Sequence, residues 1–334
     1  MVLPTQMRAA VLTGFDDPKT QLVLRTIPIP ELKPGEVLVR MAAVPINPSD
    51  LVFLRNLYGV RKKPPVVPGF EGSGTVVQSQ AGFYGQWLLG KKVACRAPES
   101  GDGTWAEYTA APAGGCIPLR SRVTLEQGAT LIVNPLTAWT LIDRARRERH
   151  RAVVQTAAAS ALGRMIGRLA RHQRLSMIHL VRRPEQAALL KAEGAEHVLD
   201  TSVENFDAEL RDLSRQLGAT LLLDAVGGSL SSRVAAALPP HSKIVVYGAL
   251  SGEAFAIPSS SLIFEGKTVS GFWLSKWIKS QGLFARLGMI RQVQNLLGDV
   301  LQTTIQARFP LEEIHAAIEL YKKNRTEGKV LLTL

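Results

Sequence analysis

Residues 151–183 read RAVVQTAAASALGRMIGRLARHQRLSMIHLVRR, and the order of elements in this stretch decides the fold. Ala152-Val153-Val154 is an apolar, β-branched run with the pattern of a buried strand. A turn of small residues follows from Thr156 to Ala161, then an amphipathic segment from Leu162 to about His172. Met177–Val181 predicts the next strand. Strand, tight turn, helix and strand within about 30 residues form a βαβ unit of the kind that opens a dinucleotide-binding sheet. The turn departs from G-x-G-x-x-G, because only Gly163 is a glycine. Ala157, Ser160 and Ala161 stand where glycine would let backbone approach a diphosphate, and they are the next smallest residues. The helix N-terminus at Ser160, Ala161 and Leu162 still directs amides and the positive end of its dipole toward an anion. An ordinary strand-to-helix turn has the same composition, so the turn alone leaves both readings open.

The end of the second strand adds a charge argument. An acid there would hold the ribose 2′-hydroxyl of NAD, whereas arginine suits the 2′-phosphate of NADP. The chain has Arg182-Arg183 and no acid before Glu185. Guanidinium groups offer planar, charge-assisted donors to phosphate oxygens. The residues therefore favour NADPH, with two solvated loop arginines as the plain alternative.

Working outward, the alternation continues. Pro184–Glu193 predicts a helix that Gly194 stops, and Phe206, Leu210, Leu213 and Leu217 recur at helical spacing before Gly218. Thr220–Val226 and Lys243–Tyr247 predict strands flanking a helix at Leu230–Leu238, and Thr268–Trp273 one strand more. This is the signature of an α/β, doubly wound parallel sheet, a Rossmann domain. Upstream, Pro and Gly punctuate β-rich sequence: Met7–Leu12, Val37–Met41, Gly72–Val77, Lys91–Cys95 and Trp105–Thr109 predict strands. Thr124 to about Arg149 is mostly helical, with an interruption expected at Asn134-Pro135. In the tail, Leu311, Ile314, Ile318 and Tyr321 share a helical face, and Leu331–Leu334 predicts a last strand. A nucleotide-binding domain over 123–299 is expected, with 1–122 and 300–334 forming a β-rich second domain.

Composition sets the class. The chain has 334 residues, 46% of them hydrophobic, enough for about two domains. No run approaches the roughly 18 uncharged apolar residues of a membrane span. The N-terminus lacks a charged-then-apolar signal segment. Two cysteines, Cys95 and Cys116, make no disulfide framework and no metal cluster, so a reducing cytoplasm is expected. The net charge of +12 is concentrated in part between Arg144 and Arg174, where Arg164, Arg168 and Arg171 share one helical face. That face reads as a solvated surface or as an attractor of acidic partners such as phosphorylated cofactors, acyl-CoA or an acidic carrier protein. No aromatic-interleaved basic motif points to sequence-specific nucleic-acid binding.

A β-rich N-terminal domain ahead of a dinucleotide domain resembles the medium-chain dehydrogenase/reductase superfamily across nearly the whole chain, and implies a GroES-like catalytic domain. Zinc members of that superfamily carry a ligand cysteine in C-G-x-D and a ligand histidine in G-H-E. Here those stretches are Asn47-Pro48-Ser49-Asp50 and Gly69-Phe70-Glu71, and the four-cysteine structural-zinc lobe is missing. A catalytic zinc needs about three protein ligands. The histidines His150, His172, His179, His197, His241 and His315 form no H-x₃₋₅-H pair. A zinc-independent enzyme is expected. Among zinc-free members, INPSD at 46–50, NLYG at 56–59, GTW at 103–105, ATLIVNPLTAW at 129–139 and GFWLSKW at 271–277 are similar to the 2-enoyl thioester reductases. INPSD and a tyrosine near position 58 occur in quinone reductases too.

The resemblance implies residue roles. Tyr58 matches the family's proton donor and enolate stabiliser, and a phenol suits that work because it donates a hydrogen bond at pH 7 from an apolar pocket. Phe272 and Trp273 match the aromatic stretch beside substrate and nicotinamide. Asn47 is a candidate for orienting substrate or cofactor, or else a turn cap before proline. Asn134 and Thr137 match N-P-x-T positions near the nicotinamide, Tyr247-Gly248 lie where the sheet's carboxyl ends meet ligand, and Lys329 matches a lysine near the cofactor phosphate. NADPH-dependent reduction of a trans-2-enoyl thioester, on CoA or acyl carrier protein, is the expected activity. A quinone or enone reductase is the alternative, and a relative that only binds NADPH or RNA is a third reading. A homodimer joined edge to edge along Thr268–Trp273 is implied.

Overall fold

From Ala152 onward, strands and helices alternate as the hydrophobic periodicity demands. The computed structural model describes residues 3–324 and 326–334. The chain divides into two compact units: one runs to Asn134 and resumes at Gln294, and the other is Pro135–Val293.

In the first unit the chain forms β1 (Gln6–Leu12), β2 (Leu22–Pro28), β3 (Glu36–Pro45), β4 (Glu71–Ser79), β5 (Lys92–Arg96), β6 (Tyr108–Pro112) and β7 (Cys116–Pro118). The second unit holds β8 (Ala152–Gln155), β9 (Ser176–Val181), β10 (His197–Asp200), β11 (Ala219–Asp224), β12 (Lys243–Val246) and β13 (Thr268–Gly271). The chain then returns to the first unit with β14 (Ile305–Pro310) and β15 (Lys329–Thr333).

Within the first unit β1 and β2 pair antiparallel, and the main sheet runs β14-β15-β3-β4-β5-β7 with β6 also on β3. The middle strand, β3, is apolar except for Glu36 and the exposed Arg40, and its Val37, Leu38 and Val39 are wholly buried. Burial on both faces removes the polar alternation of a one-sided strand.

The second unit is a parallel sheet ordered β10-β9-β8-β11-β12-β13. Numbered from its own first strand, that order is 3-2-1-4-5-6, which reverses between β8 and β11 and opens a crevice at their carboxyl ends. Helices pack by the expected spacing. In Phe206–Leu217, Phe206 and Leu210 are buried one turn apart against Val154 and Leu222, and Gly218 ends the helix in a left-handed conformation at φ 65°.

Three expectations change. Asn134-Pro135 does not interrupt a helix: both lie in the first turn of the helix Val133–Arg147, where proline's missing N–H has no intrahelical partner to lose. The strand expected at Trp105–Thr109 starts at Tyr108, because Trp105 and Ala106 serve the β1 edge through an isolated bridge at Ala9. β2, β10, β14 and the helices Gly82–Leu88 and Leu283–Leu296 were not anticipated. β2 is largely exposed and β10 has only four residues, so neither carries a readable apolar period.

Candidate active site

Asn47 caps the helix Pro48–Phe53, and the Asp50 carboxylate accepts from the Asn47 N–H at 2.7 Å. The Asn47 Nδ2 donates to Glu71 Oε1 at 3.0 Å, and its Oδ1 accepts from the Lys329 ammonium. Glu71 Oε2 in turn accepts the N–H groups of Ile132 and Val133, at 3.0 and 2.9 Å, where the helix Val133–Arg147 begins. A carboxylate there is favoured by the helix dipole. Asn47, Asp50, Glu71 and Lys329 are all buried. Burial pushes the Asp50 carboxyl up to about 7, with Glu71 adding to the rise, and pushes the Lys329 ammonium down to about 8. Glu71 is raised as well, again chiefly by burial.

The same group of residues positions the loop that carries Tyr58. The helix ends at Leu54, and Asn56 takes a left-handed conformation at φ 57°, which asparagine tolerates. The Arg61 guanidinium donates to Asn56 Oδ1 at 2.8 Å and braces the loop. Tyr58 then lies half-buried with its ring 4.8 Å from that of Phe70, the residue next to Glu71. Phe70 itself meets Phe53 edge-on at 5.6 Å. The buried charges thus anchor both sides of the Tyr58 contact, one through Asn47 and one through Glu71. Asn47 thus has its amide engaged on both ends, by Glu71 and by Lys329. Lys329 is likewise buried, with Glu71 and Asp50 as the carboxylates acting on its ammonium.

In the second unit, the turn after β8 is built from small residues and leads into a helix N-terminus. Ala157 adopts φ 49°, doing the work of a glycine. A Cβ on Gly163 would lie 2.5 Å from the Ala157 carbonyl oxygen and 2.6 Å from that of Ala158, so helix and turn touch only because Gly163 has no side chain. Ser160 is the N-cap of Ala161–His172, its Oγ accepting from Gly163 N–H at 3.0 Å. The amides of Ala161 and Leu162 precede that bond in the first turn, where intrahelical acceptors are lacking. Arg182 and Arg183 are exposed at the end of β9, and neither guanidinium has an acceptor among the described residues.

Across the crevice, the Tyr247 hydroxyl after β12 is buried without a hydrogen-bond partner among the described residues, and burial raises its pKa. A Cβ on Gly248 would sit 2.7 Å from the Ala225 carbonyl oxygen, so the loops after β11 and β12 touch there. Phe272 N–H donates to the Val246 carbonyl at 2.8 Å, and Trp273, partly exposed, caps the helix Leu274–Ser280. Asn134 and Thr137 are buried one turn apart on Val133–Arg147.

Sequence reasoning missed Asp224. Buried at the end of β11, its carboxylate accepts from Thr156 and Ser231 hydroxyls at 2.7 Å each, and from the Val226 and Gly227 N–H groups. It ties the two strands that flank the crevice. An acid closing an apolar strand ahead of two glycines is the signal that marks it.

Comparison with known proteins agrees with this anatomy. An alcohol dehydrogenase GroES-like domain model matches residues 33–121, and a zinc-binding dehydrogenase model matches 161–287. The mitochondrial enoyl-[acyl-carrier-protein] reductase of Mus musculus is 30% identical over 99% of this chain and 90% of its own. The chain belongs to the medium-chain dehydrogenase/reductase superfamily. This oxidoreductase also resembles a Mesorhizobium loti protein provisionally assigned as an NADPH:quinone reductase, with 36% identity, full coverage of both chains and a TM-score of 0.93. A quinone oxidoreductase of Thermus thermophilus, known with NADPH, is 27% identical over 98% of this chain and all of its own, at a TM-score of 0.76. Where superfamily zinc enzymes place ligands, this reductase has Asn47 and Phe70, and among the described residues no group of three His, Cys, Asp or Glu could hold a metal.

Proposed function

We propose that this oxidoreductase uses NADPH to reduce the activated double bond of a trans-2-enoyl thioester, carried on CoA or an acyl carrier protein, without zinc. The observation that carries the reading is Tyr58, half-buried against Phe70 at the end of a helix whose N-terminus is anchored by a buried ion set. The second unit offers what a phosphorylated dinucleotide needs: helix amides at Ala161 and Leu162, the exposed Arg182-Arg183 pair and the unpartnered Tyr247 hydroxyl. These residues would hold NADPH, and the chemistry it would supply there is a hydride for the substrate's β-carbon. Tyr58 donates a hydrogen bond to the thioester oxygen as negative charge develops and gives the proton that completes the α-carbon. Trp273 and Phe272, which follow β13, are assigned to the nicotinamide end of the cofactor site within the second unit. We assign the cofactor-binding role to 123–299 and the catalytic role to 1–122 with 300–334.

A quinone acceptor is the second reading, favoured by the 36% identity over full length to the Mesorhizobium protein. The partner proposed in solution is a second copy of the chain, joined along the exposed edge strand β13. No described helix is long and apolar enough to cross a membrane, and Cys95 and Cys116 pair across β5 and β7 as free thiols; a cytoplasmic location is proposed on the cysteine content of the chain.

The test follows NADPH oxidation with a short and a medium-chain trans-2-enoyl-CoA and with a small quinone, for wild type and Tyr58→Phe. Loss of a proton donor costs about 10²–10⁴-fold, so enoyl-CoA turnover falls by that order in the variant while NADPH binding stays. Quinone turnover alone, indifferent to Tyr58→Phe, refutes the thioester reading and establishes the second.

A further inference from the structure

A pocket of about 320 Å³ opens between the helices Ala161–His172 and Pro184–Ala192, over the amino-terminal half of β9. It lies toward the opposite end of β9 from Arg182, so it is separate from the dinucleotide crevice within the same unit. Four guanidinium groups line it, from Arg164, Arg168, Arg171 and Arg174, against the two carboxylates of Glu193 and Glu196. These include the three arginines that share one face of the helix, so the basic stripe in the sequence is a pocket wall. Glu193 organises that wall: its carboxylate accepts from Arg164 at 2.8 Å and lies 3.9 Å from Arg168, and its backbone carbonyl accepts from Arg171. Arg174 is different. Its backbone is left-handed at φ 57°, and its exposed guanidinium meets no acceptor among the described residues.

Deeper in the pocket, His179 supplies a neutral donor. Gln155 Nε2 donates both to the Gly163 carbonyl, at 3.0 Å, and to His179 Nδ1, at 2.7 Å. The carbonyl fixes which end of the amide is nitrogen, so His179 Nδ1 must accept and its proton sits on Nε2. Burial, with His197 and Arg171 nearby, lowers the imidazole to about 4, so this arrangement holds at neutral pH. Gly167 leaves room for the ring, since a Cβ there would stand 2.8 Å from His179 Cε1. Leu175, Met177 and Leu190 add an apolar flank.

We infer that this pocket binds a small phosphate-bearing anion, a phosphomonoester or a pyrophosphate, separately from the cofactor. An excess of two positive charges, planar guanidinium donors and one neutral imidazole N–H match a phosphate's several acceptor oxygens. The apolar flank has room for a small organic group.

Calorimetric titration at constant ionic strength, with NADPH saturating so that the crevice is filled, tests this. The probes are inorganic phosphate, pyrophosphate and phenyl phosphate. One site per chain is expected, with affinity on the order of tenfold weaker in Arg174→Gln, the loss of one charge-assisted hydrogen bond. No resolved binding is expected in Arg168→Gln/Arg174→Gln. Phenyl phosphate binding more tightly than inorganic phosphate supports an organic ligand, and pyrophosphate binding tightest supports a diphosphate. No saturable binding in wild type, or equal binding in wild type and Arg174→Gln, overturns the proposal. Arg174 is exposed and makes no described side-chain contact, so its variant remains folded and the comparison stands.

Discussion

Lys329 shows how a single residue's role depends on its surroundings. Its ammonium, together with Asn47, balances two buried carboxylates in the first unit. Removing one partner of a buried ion set leaves uncompensated charge, at a cost of about 3–5 kcal/mol. Lys329→Met is therefore expected to lower the unfolding free energy by that order in urea titrations and to reduce turnover by loosening the Tyr58 loop. Asp50 gives a pH signature. Its carboxyl titrates at about 7 when folded, against 3.8 as the ordinary value, so between those values the folded chain holds the extra proton. Its contribution to stability is complete below the lower value and is lost as pH rises through the upper one. His179 works in the opposite direction, because its pKa falls to about 4 and its contribution is lost as pH drops through that value. The difference between wild type and Asp50→Asn cancels the histidine. Asparagine keeps an acceptor for the Asn47 N–H, so the stability of wild type relative to Asp50→Asn is expected to fall from about pH 5 to about pH 7.5. A gap that does not change with pH refutes the raised carboxyl.

At the scale of elements, the turn after β8 is the informative piece. It lacks most of the glycines of a phosphate turn, yet its backbone keeps the glycine-like conformation at Ala157 and the close approach at Gly163. A left-handed alanine costs about 1–2 kcal/mol, and glycine gives back about 0.5–1 kcal/mol through chain entropy. Ala157→Gly is accordingly expected to be neutral or to stabilise by up to about 1 kcal/mol in thermal unfolding, with NADPH affinity kept. Gly163→Ala is the contrast. Its methyl would be driven into two carbonyl oxygens, for about 1–3 kcal/mol of overpacking strain and weaker NADPH binding by fluorescence titration. Equal behaviour of the two variants would mean that the turn does not position the cofactor. The helix Pro48–Phe53 carries the corresponding logic in the first unit, since its cap is buried and the loop that follows it sets Tyr58 against Phe70.

For the whole molecule, β13 ends the parallel sheet with all four residues exposed, and Ile263, Phe264 and Phe284 are exposed nearby in the chain. An unpaired, partly apolar edge is a template for strand addition, and a lysine there blocks pairing. Light scattering is expected to show a dimer for wild type and a monomer for Val269→Lys. A wild-type monomer would remove the edge-to-edge assembly.

Much of the fold is legible in the chain itself. The βαβ stretch at 151–183 dictated a parallel sheet because apolar runs of strand length alternate with a 3.6-residue period, and that pattern is local. The residue types at Arg182-Arg183 after the second strand, at Phe272-Trp273 and at Asn47 and Phe70 are local in the same sense, because they are questions of residue type at a position. Tertiary structure decided what each polar residue does. Asn47, Lys329, Asp50 and Glu71 lie up to 282 positions apart, and only the pairing of β15 beside β3 and β4 turns them into one buried ion set. Asp224 became visible as the tie between strands only when β11 lay beside β8. The chain alone leaves the arginine stripe open between a solvated face and an attractor of acidic partners; only the helix Pro184–Ala192 packed beside it makes it a pocket wall. Periodicity is written along the chain and specifies elements; burial and partners are set by residues far apart in it, and so they belong to the fold.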